Sequence, residues 1–560
     1  MTARVVQVLP DVSAIDRVFD YEVIERDDPR VRIGSIVRID LHGRRVRGWV
    51  VAEGAGAAGD VVLKAIAKVS PGHVPADLVD LSSWAAWRWA GKRRSFLATA
   101  SQPQPVVTFG RGAPKSDDQL RESTPEWARA AFESPQSVVR LGPAIDPWPI
   151  VVAAAERGPA LVLVPSLARV DLMHRRLREA GIRGVTVGAR AGAWVACDGL
   201  ASVVVVDAHD EVYTEERAPT WNAWRVVAAR AARAGVACAL TSSTPTVEQL
   251  DWGTLVETDR NTERRGWARI EILDRRGDDP RTGLWSSRAV DAIRSAGRTL
   301  CILNRTGRAK LAACAKCSTI ATCEKCAGAV HQVEAAELIC GRCGTTRPTL
   351  CLVCGGTKLK LLRVGTARAA EELSALIGAP VAEVTGASAA VPDTKAIVGT
   401  EALLHRVGRA DLVVFVDLDS ELSAPRYQAN EEALALLARA SRVVRGRFGD
   451  GRLLVQTRQP DHPVLLAAAA NDPARLTDTD RQMRQDLALP PFAALAQVSG
   501  VAAPVFVDGL RGQLGVEVTG PDNHEAFLVR APNHQTLCDA LARVERPIGR
   551  LRVSVDPVRA

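Results

Sequence analysis

Eight of the chain's twelve cysteines stand as four Cys-x2-Cys pairs: Cys314 and Cys317, Cys323 and Cys326, Cys340 and Cys343, Cys351 and Cys354. Two thiolates spaced this way point at one ion from a tight knuckle, and a four-sulfur zinc site needs two knuckles at Zn–S distances of about 2.3 Å. Four knuckles therefore predict two structural zinc ions. Gly341, Gly344, Gly355 and Gly356 supply the backbone freedom that knuckle turns require. A redox pair would be a single motif opening a helix, and iron–sulfur arrays commonly include an unpaired fourth cysteine. Spacing alone leaves three ways to combine the knuckles. His331 reads as an ordinary polar residue of a β-ribbon. Cys197, Cys238, Cys301 and Cys538 are isolated and read as small buried apolar residues.

Phosphate chemistry is limited by what is missing. Ten lysines accompany 62 arginines, and none lies between Lys115 and Lys310. A G-x-x-x-x-G-K-[ST] loop, whose amides and lysine cradle phosphates, has no place in that interval. The stretch Gly110 to Ser116 contains Lys115, but Pro114 stands where glycine is required.

Positioning these groups takes several domains. At about 150 residues per domain, 560 residues give three or four. Short alternating runs at Arg4–Leu9, Val18–Ile24, Ser35–Leu41 and Val46–Ala52, separated by Gly34, Gly43 and Gly54, predict a β-rich domain over 1–103, ending in a helix that carries Trp84, Trp87 and Trp89. Residues 104–135 mix Pro, Gly and charge and predict a linker. Continuous apolar runs at Ala160–Val164 and Ser202–Val206, alternating with helical stretches at Leu167–Ala180 and Ala223–Ala234, predict one doubly wound α/β lobe over 136–262. A second lobe follows over 263–312 and 356–480, with the cysteine module, 313–355, inserted in it. The order strand, helix, strand, strand, helix, strand predicts a split βαββαβ domain over 481–560. The fold class is thus α/β, with two doubly wound lobes between a β-rich and a βαββαβ domain.

Composition excludes some classes. Apolar residues make up 47%, which rules out global disorder. No apolar run reaches the roughly 18 residues needed to span a bilayer, and no secretory leader opens the chain, so a cytoplasmic location without membrane contact is expected. A net charge of +8 permits a polyanion partner.

The sequence Asn304-Arg-Thr-Gly-Arg308, leading into the cysteine array, resembles the Asn-Arg-Arg-Gly-Tyr stretch before the paired zinc sites of the PriA family of replication restart helicases. The likeness extends to Val18-Phe-Asp-Tyr21, Gly34-Ser-Ile-Val-Arg-Ile39, Gly43, Gly48 and Leu63-Lys-Ala-Ile66. After the array it continues through Arg363–Arg368, Val398-Gly-Thr-Glu401, Leu489-Pro-Pro-Phe492 and Val553-Ser-Val-Asp-Pro557. It covers the chain except about 104–135. The resemblance implies an N-terminal domain that binds the 3′ end of a nascent strand at a fork, with Phe19, Asp20, Gly43 and Lys64 lining the pocket. It implies helicase-like lobes and nested zinc sites: Cys314, Cys317, Cys351 and Cys354 in one, Cys323, Cys326, Cys340 and Cys343 in the other. Forked and single-stranded DNA, primosome proteins, the helicase-loading machinery and single-stranded DNA-binding protein are the partners it implies. Candidate phosphate contacts are Arg44, Arg45, Arg47, Lys92, Arg93 and Arg94.

The ATP-handling elements of that family depart from pattern. The phosphate-loop position reads Leu141-Gly-Pro-Ala-Ile-Asp-Pro-Trp-Pro149, with Gly142 but no lysine, no Ser/Thr for magnesium, and three prolines without amide hydrogens. The acidic motif reads Asp207-Ala-His209-Asp, so Ala208 replaces the glutamate that would activate water. The arginine-finger stretch has become Arg439-Ala-Ser-Arg442-Val-Val-Arg-Gly-Arg447, and Leu404–Arg409 also departs from the family. Gly142, Asp207 and His209 mark a degenerate nucleotide site, which leaves ATP and magnesium without their usual ligands and predicts no catalysis. The expected function is fork recognition and support for reloading the replicative helicase without unwinding. The alternatives are an active 3′–5′ helicase with divergent motifs and a zinc-stabilised adaptor.

Overall fold

A computed structural model describes all residues except 1–3, 14, 55–62, 103–106, 110–123, 279–282, 305–311, 318, 326–329, 335–336, 341–344, 362–365, 387, 523–524 and 558–560. Two compact units emerge. One comprises Met1–Ser137, Trp148–Leu240 and Ala488–Pro557; the other comprises Val138–Pro147, Thr241–Leu487 and Val558–Ala560. No helix among the described residues is long and apolar enough to cross a membrane.

The first unit opens with a five-stranded antiparallel sheet in the spatial order Phe19–Val23, Arg4–Pro10, Arg44–Glu53, Ser35–Leu41, Lys68–His73. Alternation along each strand turns Val6, Val8, Tyr21, Val37, Ile39 and Val50 to one core. Next comes a largely parallel sheet, in which Val185–Gly188, Ala160–Leu163, Ser202–Val205 and the strand from Ala237 lie side by side. Its first three strands are buried along their whole length, because helices cover both faces of such a sheet. Residues 104–135, expected to form a linker, contain more structure than that. Val107–Phe109 pairs antiparallel with Val185–Gly188, and Glu126–Ala130 is helical. Val106-Val-Thr-Phe109 is itself a β-branched and aromatic run, set in a stretch whose Pro, Gly and charge read as a linker.

The C-terminal segment of this unit runs strand Ala494–Ser499, helix Ala503–Arg511, strands Glu517–Thr519 and Phe527–Ala531, helix His534–Arg543, strand Arg552–Val555. It forms a four-stranded antiparallel sheet. Asp556, just beyond the last strand, ties the unit together. Its carboxylate accepts hydrogen bonds from Arg88 (2.6 Å) and His534 (2.7 Å) and lies 3.4 Å from Arg225. Burial would raise its pKa, but Arg88, Arg225 and His534 outweigh burial and hold it well below the ordinary carboxylate range.

The second unit is built on a six-stranded parallel sheet in the order Arg269–Asp274, Arg452–Thr457, Leu412–Phe415, Thr299–Ile302, Ala396–Gly399, Val381–Val384. Separate apolar cores cover its two faces, one around Phe415, Leu437 and Leu453, the other around Ile293, Cys301 and Val414. The cysteine segment is inserted between strand Thr299–Ile302 and helix Thr366–Ile377 as small antiparallel ribbons: Ala312–Cys314 with Leu359–Leu361, and Val330–Glu334, Glu337–Cys340 and Thr346–Pro348 together. Cys238, Cys301 and Cys538 are buried, and burial pushes the thiols of Cys238 and Cys301 above their usual value.

Replacing Asp556 with Asn keeps its size and its tolerance of a left-handed backbone (φ 52°). It strands Arg88 and is expected to cost about 3 kcal/mol, read by urea unfolding of the full chain. Because the folded pKa is depressed, this contribution is present above the unfolded value of about 3.9 and is lost only as pH falls below it. A variant as stable as the parent at neutral pH contradicts the assignment.

Candidate functional site

Four cysteines from two distant stretches converge. The Sγ atoms of Cys314, Cys317, Cys351 and Cys354 all lie within 4.8 Å of one another, with Cys314–Cys354 and Cys317–Cys351 each at 3.5 Å. Zn–S bonds of about 2.3 Å in a tetrahedron give sulfur separations of about 3.8 Å, so the donor set fits one such ion. The ribbon Ala312–Cys314/Leu359–Leu361 brings the knuckles together. The Lys316 amide donates to the Cys314 sulfur, and Gly355, at φ +70°, turns the second knuckle. A side chain at Gly356 would sit 3.0 Å from the Cys314 sulfur, so this position must stay bare. Crowding splits the thiols' proton affinities. Cys317 is drawn down to about 6, first by its hydrogen bond to Thr319, and Cys354 is pushed up to about 12, first by Cys317. A cation binding all four as thiolates resolves that conflict.

Of the other set, Cys323 and Cys340 are buried in one small apolar cluster with Val330 and Leu338. The Lys325 amide donates to the Cys323 sulfur, repeating the knuckle geometry. Cys326 and Cys343 lie outside the described residues, as do Gly341, Gly344, Arg305–Arg308, Arg363–Gly365 and the Lys115 stretch.

In the second unit, the phosphate-loop position is closed from within. The Leu141 amide donates to Ser242 O (3.0 Å), the Ala144 amide to Gly266 O (3.0 Å) and the Ile145 amide to Gly142 O (2.9 Å). Arg442 donates to Pro143 O at 2.6 Å. Backbone packs on backbone here: a Cβ on Gly142 would lie 2.4 Å from Glu263 O, and one on Gly446 would lie 2.4 Å from Gly266 O. Helix Arg260–Gly266 is pinned in place by Glu263, which is buried and paired with Arg140 and Arg260 at 3.0 Å. Amides that would cradle phosphate oxygens already have carbonyl partners.

In the first unit, Asp207 follows strand Ser202–Val205, buried, at φ 56°. Its carboxylate faces Arg169 at 3.5 Å. Ala208 beside it is buried and His209 half-buried. The Asp210 side chain accepts from the Val212 amide, a local turn cap.

The N-terminal sheet carries the expected DNA-end residues. Phe19 and Asp20 are consecutive on strand Phe19–Val23. Arg17 lies 4.6 Å from the Phe19 ring centroid. Asp20 Oδ1 is buried without a hydrogen-bond partner among the described residues. Exposed Lys64 lies on the segment paired with this strand, its carbonyl accepting from the Glu22 amide (3.0 Å). Gly43 sits at φ +76° in the turn between strands Ser35–Leu41 and Arg44–Glu53, and nothing in its contacts joins it to the other three.

A family model of the PriA 3′ DNA-binding domain matches residues 7–101. The "probable replication restart protein PriA" of Mycobacterium leprae is 26% identical over 653 aligned positions, covering 98% of this chain and 99% of its own. The Mycobacterium tuberculosis H37Rv protein of the same name is 26% identical, over 88% of this chain and 86% of its own. The Haemophilus influenzae "replication restart protein PriA" is 25% identical, over 60% of this chain and 51% of its own. The chain is thus similar to PriA proteins over nearly its whole length.

The candidate phosphate contacts divide sharply. Lys92 donates to Ser13 O, Arg93 to Val79 O and Ser82, and Arg94 pairs with Asp11 at 2.7 Å, so these three hold the domain together. Arg44 and Arg45 stay exposed on the hairpin, although Arg45 is 3.4 Å from Asp40. Arg47 stacks near Trp49. Sequence reasoning missed Gly266, Gly446 and Glu263. Their partners lie more than a hundred residues away or on unrelated elements, and no local pattern signals them.

Substituting Cys354 with serine is expected to lower bound zinc from about two ions per chain to about one, counted by mass spectrometry, with unfolding of the first unit unchanged. Fewer than two ions in the parent protein contradicts the paired-site reading.

Proposed function

We propose that this PriA-family chain is a DNA-binding replication restart protein that recognises stalled or abandoned forks and supports reloading of the replicative helicase, without hydrolysing ATP or unwinding DNA itself. The observation that carries the second half is the closed 141–147 loop. Its amides at Ala144 and Ile145 are spent on Gly266 and Gly142 carbonyls, Arg442 holds Pro143, and no lysine or hydroxyl is present to meet a triphosphate or its magnesium. Asp207, already facing Arg169, adds no vacant carboxylate with an activating glutamate beside it.

The DNA-binding half rests on the match of residues 7–101 and on the names of the relatives. In this reading, Asp20 accepts a hydrogen bond from the 3′-hydroxyl of a nascent strand, Phe19 stacks on the last base, and Lys64 and the exposed hairpin arginines meet phosphates. Gly43 gives the hairpin room for close approach of the strand end. Cys314, Cys317, Cys351 and Cys354 hold one zinc, and Cys323, Cys326, Cys340 and Cys343 a second. Both are closed structural ions that stiffen a module with too few apolar residues to fold alone. Forked and single-stranded DNA, primosome proteins, the helicase loader and single-stranded DNA-binding protein are the partners; the chain acts by holding them.

Fluorescence anisotropy with fork DNA tests the proposal. A fork ending in a 3′-hydroxyl at the branch should bind about ten-fold tighter than one ending in a 3′-phosphate, since the lost bond is made to a charged acceptor. Asp20→Asn should erase the difference. Affinity should fall steeply with salt. Equal affinity for both forks, or salt-insensitive binding, favours the adaptor reading instead.

A further inference from the structure

The 3-10 turn Gly446–Phe448 follows helix Ala429–Val443 and carries exposed side chains that the closure of the 141–147 loop does not use. Arg445, Arg447 and Phe448 are exposed there. The end of helix Arg260–Gly266 packs on the same turn through the Gly446–Gly266 contact and adds exposed Arg264 and Arg265. Among the described residues, none of these four arginines has an ion-pair partner. Exposed Arg276 and Arg288, by contrast, are each paired with a carboxylate.

Two further features mark the patch. Phe448 is 49% exposed, the only aromatic side chain exposed to that degree among the described residues, and Arg265 lies 4.8 Å from its ring centroid. Arg445 adopts φ 63°, a conformation in which glycine is favoured and arginine is strained. Such a backbone persists where the surrounding structure holds it, here through the packing of Gly446 on Gly266.

We propose that Arg264, Arg265, Arg445, Arg447 and Phe448 form a binding surface for single-stranded DNA, with the arginines on phosphates and an unpaired base stacked on Phe448. An aromatic platform set among cations is the combination that holds a single strand without reading its sequence. A duplex presents phosphates but no free base face, and an acidic peptide satisfies the arginines but has no need of the ring. The inference rests on the reading of this chain as a DNA-binding protein and names a second contact beyond the 3′-end pocket.

The full chain is titrated against fluorescein-labelled oligo(dT) and, separately, against a junction with a 3′-hydroxyl and no single-stranded arm. The variants are Phe448→Leu and the pair Arg445→Gly with Arg447→Gln, glycine being suited to the observed φ. Each should weaken oligo(dT) binding about ten-fold and leave the junction affinity and the thermal midpoint unchanged. The double variant should also reduce the slope of log affinity against log salt by about 1.4. Unchanged oligo(dT) affinity in either variant overturns the proposal. So does oligo(dT) binding by Phe448→Leu at parental strength with competition by polyglutamate, which marks charge attraction alone. A parent protein that binds the junction but not oligo(dT) ends this inference only, whereas one that binds neither ends the DNA-binding reading beneath it.

Discussion

One constraint governs the second unit: three backbones meet at Gly142, Gly266 and Gly446 with no room for a side chain on any of them. The phosphate loop of a nucleotide-driven motor must keep its amides free and its backbone open to an approaching anion. Here the carbonyl of Gly266 takes the Ala144 amide, and Arg442 takes the carbonyl of Pro143. Buried Glu263, neutralised by Arg140 and Arg260, keeps the helix end seated. Opening this contact to admit a triphosphate would break these bonds and expose a buried carboxylate, with no lysine to compensate.

The parallel sheet of this unit stands independently of that contact. A parallel sheet with apolar cores on both faces does not depend on nucleotide for its stability. The cysteine module follows a different rule. Its ribbons are short and its apolar cluster is small, so an ion held by the converged thiols of Cys314, Cys317, Cys351 and Cys354 would supply much of its order.

What could be read from the sequence was what local pattern encodes. Cysteine spacing announced the knuckles that converge at Cys314, Cys317, Cys351 and Cys354, and continuous β-branched runs such as Ser202–Val205 announced buried parallel strands. What could not be read depends on distant contacts. Val107–Phe109 is too short to stand as a strand by itself and is completed by pairing with Val185–Gly188. Lys92, Arg93 and Arg94 look like a phosphate-binding run, yet their partners Ser13, Val79 and Asp11 sit on other elements. Asp556 resembles any turn aspartate until Arg88, Arg225 and His534 arrive from three separate segments. Gly446 stands in an arginine-rich stretch whose pattern says nothing of the turn it makes against Gly266.

Calorimetric titration of the purified full chain with ATP and magnesium, in the presence of fork DNA and with phosphate release followed in parallel, tests the central claim most directly. The closed loop predicts no saturable heat at millimolar nucleotide and no phosphate release above background. Saturable binding accompanied by hydrolysis that disappears on replacing Asp207 contradicts it.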